Sequence, residues 1–472
     1  MDPARAGPKR AVTGSRRWAR PVLGGAVLLA GLALRLAVST GSGYLGEDGD
    51  LFEWRLATHR ALTRGPHTVY EVNRENDPAF TGREWAGGYF INTPPVLLYL
   101  RTAVAAAYRA LDRPGFELWD WQLNFEELGP GDLGARLERS RWFTVGLKLP
   151  GIVADALICW TLYLMGSAVG RNTGVAAAAA YSLNPAVIYN TASWGQSDAV
   201  WIALVASSLG LLRRDRVEAG ASAYTLAALT KPQALAFAPL VVVLVASRAT
   251  RRLGRAGLAA AGTFLLVFLP FLWGGTFLST LEALWRSTIG GEPYLSCNAA
   301  NLWLLLDGGS GFGTSDTISL AGPLTARALG LVLFLACAVL VAARVPPRGE
   351  PEAPRLALAA AVTTLASFAF GTELHENHLI AVLPFLALAA LAYGRLWIAF
   401  GLLTATIQAN LVLFDQAALL RLGGAHWPVR GLAVAAALLH TLAFAVLLAF
   451  YLRNRTGRRS TRSCQDAAPR SA

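Results

Sequence analysis

The residues best placed to do chemistry in this sequence are acids and lysines at the ends of apolar runs. Glu47, Asp48, Asp50 and Glu53 put four carboxylates in the stretch "EDGDLFE". A carboxylate held beside a hydroxyl can take its proton as the hydroxyl attacks, an effect of roughly 10²–10⁴-fold. Asp50 and Glu53 also have the spacing of an acidic capping box. Leu51, Phe52, Leu56 and Leu62 would form one face of the helix that such a box starts. Glu47 and Asp48 then lie outside the helix, in a loop flanked by Gly46 and Gly49 whose backbone can approach a ligand closely. Asp48 there is either a solvated loop acid or a base.

Lysine use is the second signal. Lysine occurs only at Lys9, Lys148 and Lys231, so arginine supplies the rest of the 42 basic residues. Lys148 and Lys231 both stand just before proline or Leu-Pro at the end of an apolar run. A compact ammonium suits a phosphate there, and snorkelling from a helix end is the plainer alternative.

Further polar residues interrupt the apolar chain at "SWGQSD", where Trp194, Gln196 and Asp198 stand, and at "HENH", with His375, Glu376 and His378. Trp194 fits an aromatic belt. Asp198 opens an apolar run, so it must stay wet, cap the helix or bind something. "HENH" lacks the HExxH spacing of a zinc helix, which favours a His375–Glu376 pair orienting a sugar or phosphate. Asp155 lies inside an apolar run, where its natural partner is an arginine or lysine of a neighbouring helix.

These residues need a membrane scaffold to position them. The 472 residues are 54% hydrophobic and 15% charged, with mean hydropathy +0.42. Apolar runs at 21–40, 143–166, 173–190, 196–213, 216–230, 232–248, 256–273, 324–343, 355–370, 378–393, 396–414 and 430–452 predict an all-α polytopic protein of about 12 transmembrane helices. The run at 92–112 carries Arg101 and Arg109, so it reads as an amphipathic interfacial or re-entrant helix. With that choice the arginine-rich linkers fall on the cytoplasmic side, as do both termini. The organisation predicted is a basic tail 1–20, one membrane domain 21–452 with outer loops 41–142 and 274–323, and a basic tail 453–472. The net charge of +12 is then a topology signal, and no nucleic-acid partner is expected. The four cysteines form no CxxC pair. Nearly every unusual polar residue lands on the extracytoplasmic face of a plasma membrane.

Taken together, "GEDGDLFEW", "NTPPVLLY", "LKLPGIVADAL", "SWGQSDAV", "LTKPQALAFAPL", "YLSCNAANLW" and "LHENHL" resemble the ordered motifs of the GT-C glycosyltransferases. These are polytopic enzymes that use polyprenyl-phosphate sugars, and bacterial mannosyltransferase-like membrane proteins are the nearest in pattern. The resemblance implies inverting transfer of a hexose, mannose favoured, from a polyprenyl-phosphate donor to a lipid, glycan or protein acceptor. An acid of the first outer loop serves as base, a role that falls on Asp48 with Asp50 in reserve. It further implies donor or phosphate binding by Lys148, Lys231, His375 and Glu376. Substrate contacts fall to Trp194, Gln196, Asp198, Asn298 and Asn301. Asn92 stands where the related motif carries Asp, and a divalent metal is left open. The rival reading is a transporter or flippase of lipid-linked sugars, which should line a mid-membrane path with charge.

Overall fold

The computed structural model describes residues 15–41, 49–72, 91–123, 128–169, 172–246, 250–288, 291–345, 352–415, 419 and 428–454. Structural statements below concern these residues. Glu47 and Asp48, and most of both basic tails, lie outside them.

The chain is all-α apart from one small antiparallel hairpin, Ser319–Ala321 with Leu324–Thr325. In chain order the helices are α1 Ser15–Gly41, α2 Gly49–Arg64, α3 Pro95–Leu111, α4 Arg113–Glu117, α5 Pro130–Arg139, α6 Arg141–Val169 and α7 Thr173–Ser182. They continue as α8 Pro185–Ile188, α9 Asp198–Arg213, α10 Val217–Ala228, α11 Ala238–Ala246, α12 Thr250–Trp273 and α13 Phe277–Thr288. The last are α14 Leu302–Leu306, α15 Ala326–Ala343, α16 Ala353–Phe370, α17 Val382–Ala390, α18 Leu396–Leu413 and α19 Val429–Arg453.

Every one of the twelve predicted spans is largely helical, but among the described residues seven helices are long and apolar enough to cross a bilayer alone. The protein is a multi-pass membrane protein. The shorter segments are broken by their own polar motifs. The run at 173–190 becomes α7, α8 and a π turn, Tyr189–Trp194, because Pro185 removes a backbone donor. Pro232 likewise converts the start of the 232–248 run into a 3₁₀ turn, Pro232–Phe237.

Helix α16 is the centre of the bundle, with 78% of its apolar window buried, against 22% for α1 and α12 at the periphery. The main core joins α6, α7, α9, α11 and α16 to α18. Asp155 of α6 pairs inside it with Arg35 of α1 at 2.9 Å and accepts from the Tyr181 hydroxyl at 2.7 Å. That is the arginine partner the sequence called for, and it ties α1 to the bundle.

A second core sits under the first loop, where Leu51, Phe52 and Leu56 of α2 are buried against α3 and α12. In α3 the buried residues Leu97, Leu98, Arg101, Ala105 and Tyr108 follow a helical stripe. Arg101 therefore sits in the middle of an apolar face, which is tolerable because its head reaches a polar cavity.

The stretch Tyr294–Trp303 is held from below. Asn410 of α18 accepts from the Ala300 amide at 2.8 Å and donates to the Asn298 carbonyl at 2.9 Å, while His440 of α19 contacts the Ala300 carbonyl at 2.8 Å.

Candidate active site

A cavity of about 310 Å³ opens where the first loop meets the ends of the broken helices. Its lining includes Asp50, Glu53 and Trp54 of α2, Asn92, Thr93 and Arg101 around α3, and Trp194, Gln196 and Ser197 after the π turn. Lys231, Gln233, Glu292, Glu373, His375, Asn377 and His378 complete it.

The turn that delivers Gln196 depends on Gly195. Its φ of 88° is left-handed backbone, and a Cβ there would meet Leu51 Cδ1 at 2.9 Å. Gly151 of α6 does the same from the other side, since a Cβ would stand 2.9 Å from the Gln196 carbonyl. Lys148, one turn earlier, donates to the Ala192 and Ser193 carbonyls at 3.0 and 2.8 Å. These are carbonyls at the end of the π turn that need donors. The structure places Lys148 beneath the loop: the residue is 1% exposed and stands outside the lining of the cavity.

Lys231 is different. Its ammonium donates to Asp198 at 2.8 Å and to Gln196 Oε1 at 3.2 Å, at the cavity wall. Gln196 Nε2 in turn donates to Asp50. A continuous chain, Asp50–Gln196–Lys231–Asp198, joins the first loop to two later motifs.

Asp198 is saturated by that arrangement. Its carboxylate also accepts from Trp201 Nε1 at 3.1 Å, Asn190 at 3.3 Å and Asn377 at 2.9 Å. It neither caps α9 through its side chain nor has a face turned to a ligand, so it positions Lys231. Asp50 departs from expectation in the opposite direction. The helix begins at Gly49, which moves Asp50 inside the first turn and turns its carboxylate to Gln196.

Arg101 is the cavity cation that the sequence reading missed. One terminal nitrogen donates to the Gly195 carbonyl at 3.0 Å and to Ser197 Oγ at 2.9 Å, and the guanidinium lies 4.4 Å from the Trp54 ring centroid. Burial pulls its pKa down to about 9, against the charges of Asp50 and Asp198, so it stays protonated at neutral pH. The signal was present: an arginine in the middle of an apolar stripe implies a wet partner.

On the far wall His375 hydrogen-bonds Glu292 and stands 3.9 Å from Glu376. Burial lowers the imidazole pKa, but the hydrogen bond and charge of Glu292, with Glu376 and Asp50 behind, leave it raised overall. Glu292 is raised by burial and lowered further by His375, ending below its usual value. Glu376 is itself buried and is not part of the lining.

Asn298 and Asn301 also fall outside the lining. Asn301 caps α14, accepting from Trp303 and Leu304 amides at 3.1 Å, and donates to the Gly371 carbonyl at 3.0 Å. Asn298 occupies left-handed backbone at φ 65° beneath the loop. Both therefore stand behind the lining of the cavity.

Four buried polar atoms of lining residues have no hydrogen-bond partner among the described residues: Thr93 Oγ1, Arg101 Nε, Trp194 Nε1 and Gln233 Oε1. Leaving such groups unpaired is costly, on the order of 1–3 kcal/mol each. A polar ligand in the cavity would give these four atoms partners.

Glu292, Cys297 and His375 offer ligand atoms within 4.8 Å of one another. A cation there would have to break the Glu292–His375 hydrogen bond and ionise a thiol that burial and the charge of Glu292 hold protonated.

No curated protein matches the chain. Among solved structures it is similar to the crystal structure of ArnT from Cupriavidus metallidurans bound to undecaprenyl phosphate, at 17% identity, with 93% of this chain and 78% of that chain covered and a TM-score of 0.42. Residues 151–371, just under half of the chain, match the model of Glycosyltransferase family 87. That segment contributes Trp194, Gln196, Lys231 and Glu292 to the cavity. With those walls matched to a family of sugar-transferring enzymes, the protein is a membrane glycosyltransferase.

Proposed function

We propose that this cavity transfers a hexose, mannose favoured, from a polyprenyl-phosphate donor to a hydroxyl of a lipid, glycan or protein acceptor, on the extracytoplasmic face of the plasma membrane. The observation that carries the reading is the Asp50–Gln196–Lys231–Asp198 chain, which sets an acid and a cation on one cavity wall with Arg101 beside them.

A first-loop carboxylate takes the acceptor hydroxyl proton as its oxygen forms a bond to the anomeric carbon. The bond from that carbon to the phosphate oxygen breaks, and polyprenyl phosphate leaves with the electron pair and a second negative charge. Attack opposite the leaving group inverts the anomeric centre. Lys231 and Arg101 attract the phosphate before reaction and more strongly as charge develops, which is where fixed cations lower a barrier. Asp50 lines the cavity, as Glu53 one turn on also does, and Asp48, two residues upstream, is the alternative base that the motif resemblance favours.

The test is to incubate purified protein with polyprenyl-phosphate mannose and an extract of cell-envelope lipids, and to follow release of polyprenyl phosphate. Release that stops in Asp48→Asn or Asp50→Asn, with folding intact, supports the reading and names the base. Release in neither the parent nor any variant with hexose donors would sink it.

A further inference from the structure

Helix α13 packs Thr280, Ala283 and Leu284 inward, while Leu278 and Trp285 on its other side are 77% and 66% exposed. Seven residues apart, these two stand on one face, two turns from each other. Glu282 and Arg286 beside them pair at 3.3 Å and present no net charge.

The exposed face continues the apolar surface of a helix long enough to span a membrane. Helix α12, apolar enough to cross a membrane, exposes Leu258, Leu265, Leu269 and Leu272 and ends at Trp273, which is 86% exposed. Three residues separate it from the start of α13. At its other end Ser287 and Thr288 line the cavity. One short helix thus links the lipid-facing side of α12 to the wall of the site.

We infer that α13 lies in the membrane surface on the cavity's side, with Leu278 and Trp285 in the boundary between headgroups and acyl chains. Its C-terminal turn is then the rim over which a substrate's lipid tail passes from the cavity into the bilayer. Exposed leucine and tryptophan on a helix of balanced charge suit that depth. The rim half of this inference rests on the proposed lipid-linked donor; the placement half does not.

The test uses the full chain in phospholipid nanodiscs, its native cysteines changed to serine. Spin labels at Leu278→Cys and Trp285→Cys should collide with oxygen in preference to a water-soluble nickel chelate, and a label at Asp120→Cys should do the reverse. Labels at 278 and 285 open to the chelate would overturn the placement. For the rim, Trp285→Glu should raise KM about ten-fold for a long-chain polyprenyl-phosphate mannose and leave a short-chain, detergent-soluble analogue unchanged. Trp285→Phe should restore the long-chain value. Equal effects on both donors, or on neither, overturn the rim. If the parent protein turns over neither donor, the reaction reading fails and takes the rim with it, while the label result still decides where α13 lies.

Discussion

Gln196 donates to the Asp50 carboxylate and accepts from the Lys231 ammonium at 3.2 Å, so a neutral side chain stands between an acid and a cation that would otherwise neutralise each other. Direct pairing would hold Asp50 as a spectator. The amide keeps both groups at one wall, and in the proposed reaction it leaves a carboxylate oxygen for the acceptor hydroxyl.

Replacing that amide should therefore cost turnover more than folding. Gln196→Leu severs both contacts with little change in volume. We expect kcat to fall by about 10²-fold, the scale of a misplaced catalytic group, with the melting temperature nearly unchanged. Single-turnover release of polyprenyl phosphate checks it, and a loss confined to KM would show that Gln196 only binds.

Lys148 and Lys231, alike in the sequence, should now separate experimentally. Lys231→Met leaves the buried Asp198 carboxylate without its cation, which costs about 3–5 kcal/mol when one partner of a buried pair is removed. Lys231→Met with Asp198→Asn should recover most of that stability and still bind donor weakly. Lys148→Met should lower stability by about 1–3 kcal/mol through its two abandoned carbonyls and leave donor affinity unchanged. Thermal melts and donor titrations of the three variants decide this.

That contrast marks how much the sequence could say. Hydropathy located the helical segments, and their polar interruptions marked several residues that the fold brings to one cavity, because apolar length and polar interruptions are properties of the chain itself. The direction of a side chain is not. Lys148 and Lys231 read alike in sequence, yet one lies under the π turn and the other at the cavity wall, a difference set by where α6 passes the 189–197 segment. Asn301 was assigned a substrate contact through the resemblance alone, and the Trp303 and Leu304 amides it accepts from, which come from the fold, show that it caps α14. Arg101 was read as a membrane penalty because its acceptors, Gly195 and Ser197, come from a distant segment.

The face of the membrane on which the cavity opens is directly measurable. Asp120 of the first loop is exposed, and Arg109 nearby pairs with Glu117 at 3.4 Å. In a cysteine-free background, Asp120→Cys should react with an impermeant maleimide added to intact cells. Reaction only after permeabilisation would put the cavity on the cytoplasmic side and reverse every loop assigned from the arginine distribution.

Glu376 supplies a pH dependence with a definite sign. Burial pushes its carboxyl from 4.5 up to about 7; His375 and a backbone amide oppose the shift, and the charges of Asp50 and Glu292 add to it. Because the folded chain holds this proton more tightly than the unfolded chain, stability falls as pH rises from about 4.5 to about 7 and levels off above the folded value. At 1.36 kcal/mol for each pH unit of difference, the loss is on the order of 3 kcal/mol at most. Glu376→Gln cannot ionise and should abolish that slope. Its melting temperature should match the parent's near pH 5 and exceed it near pH 8, measured in the same detergent. A constant difference between the two proteins across that range would mean that the carboxylate is already ionised at pH 5, held by a cation that outweighs its burial.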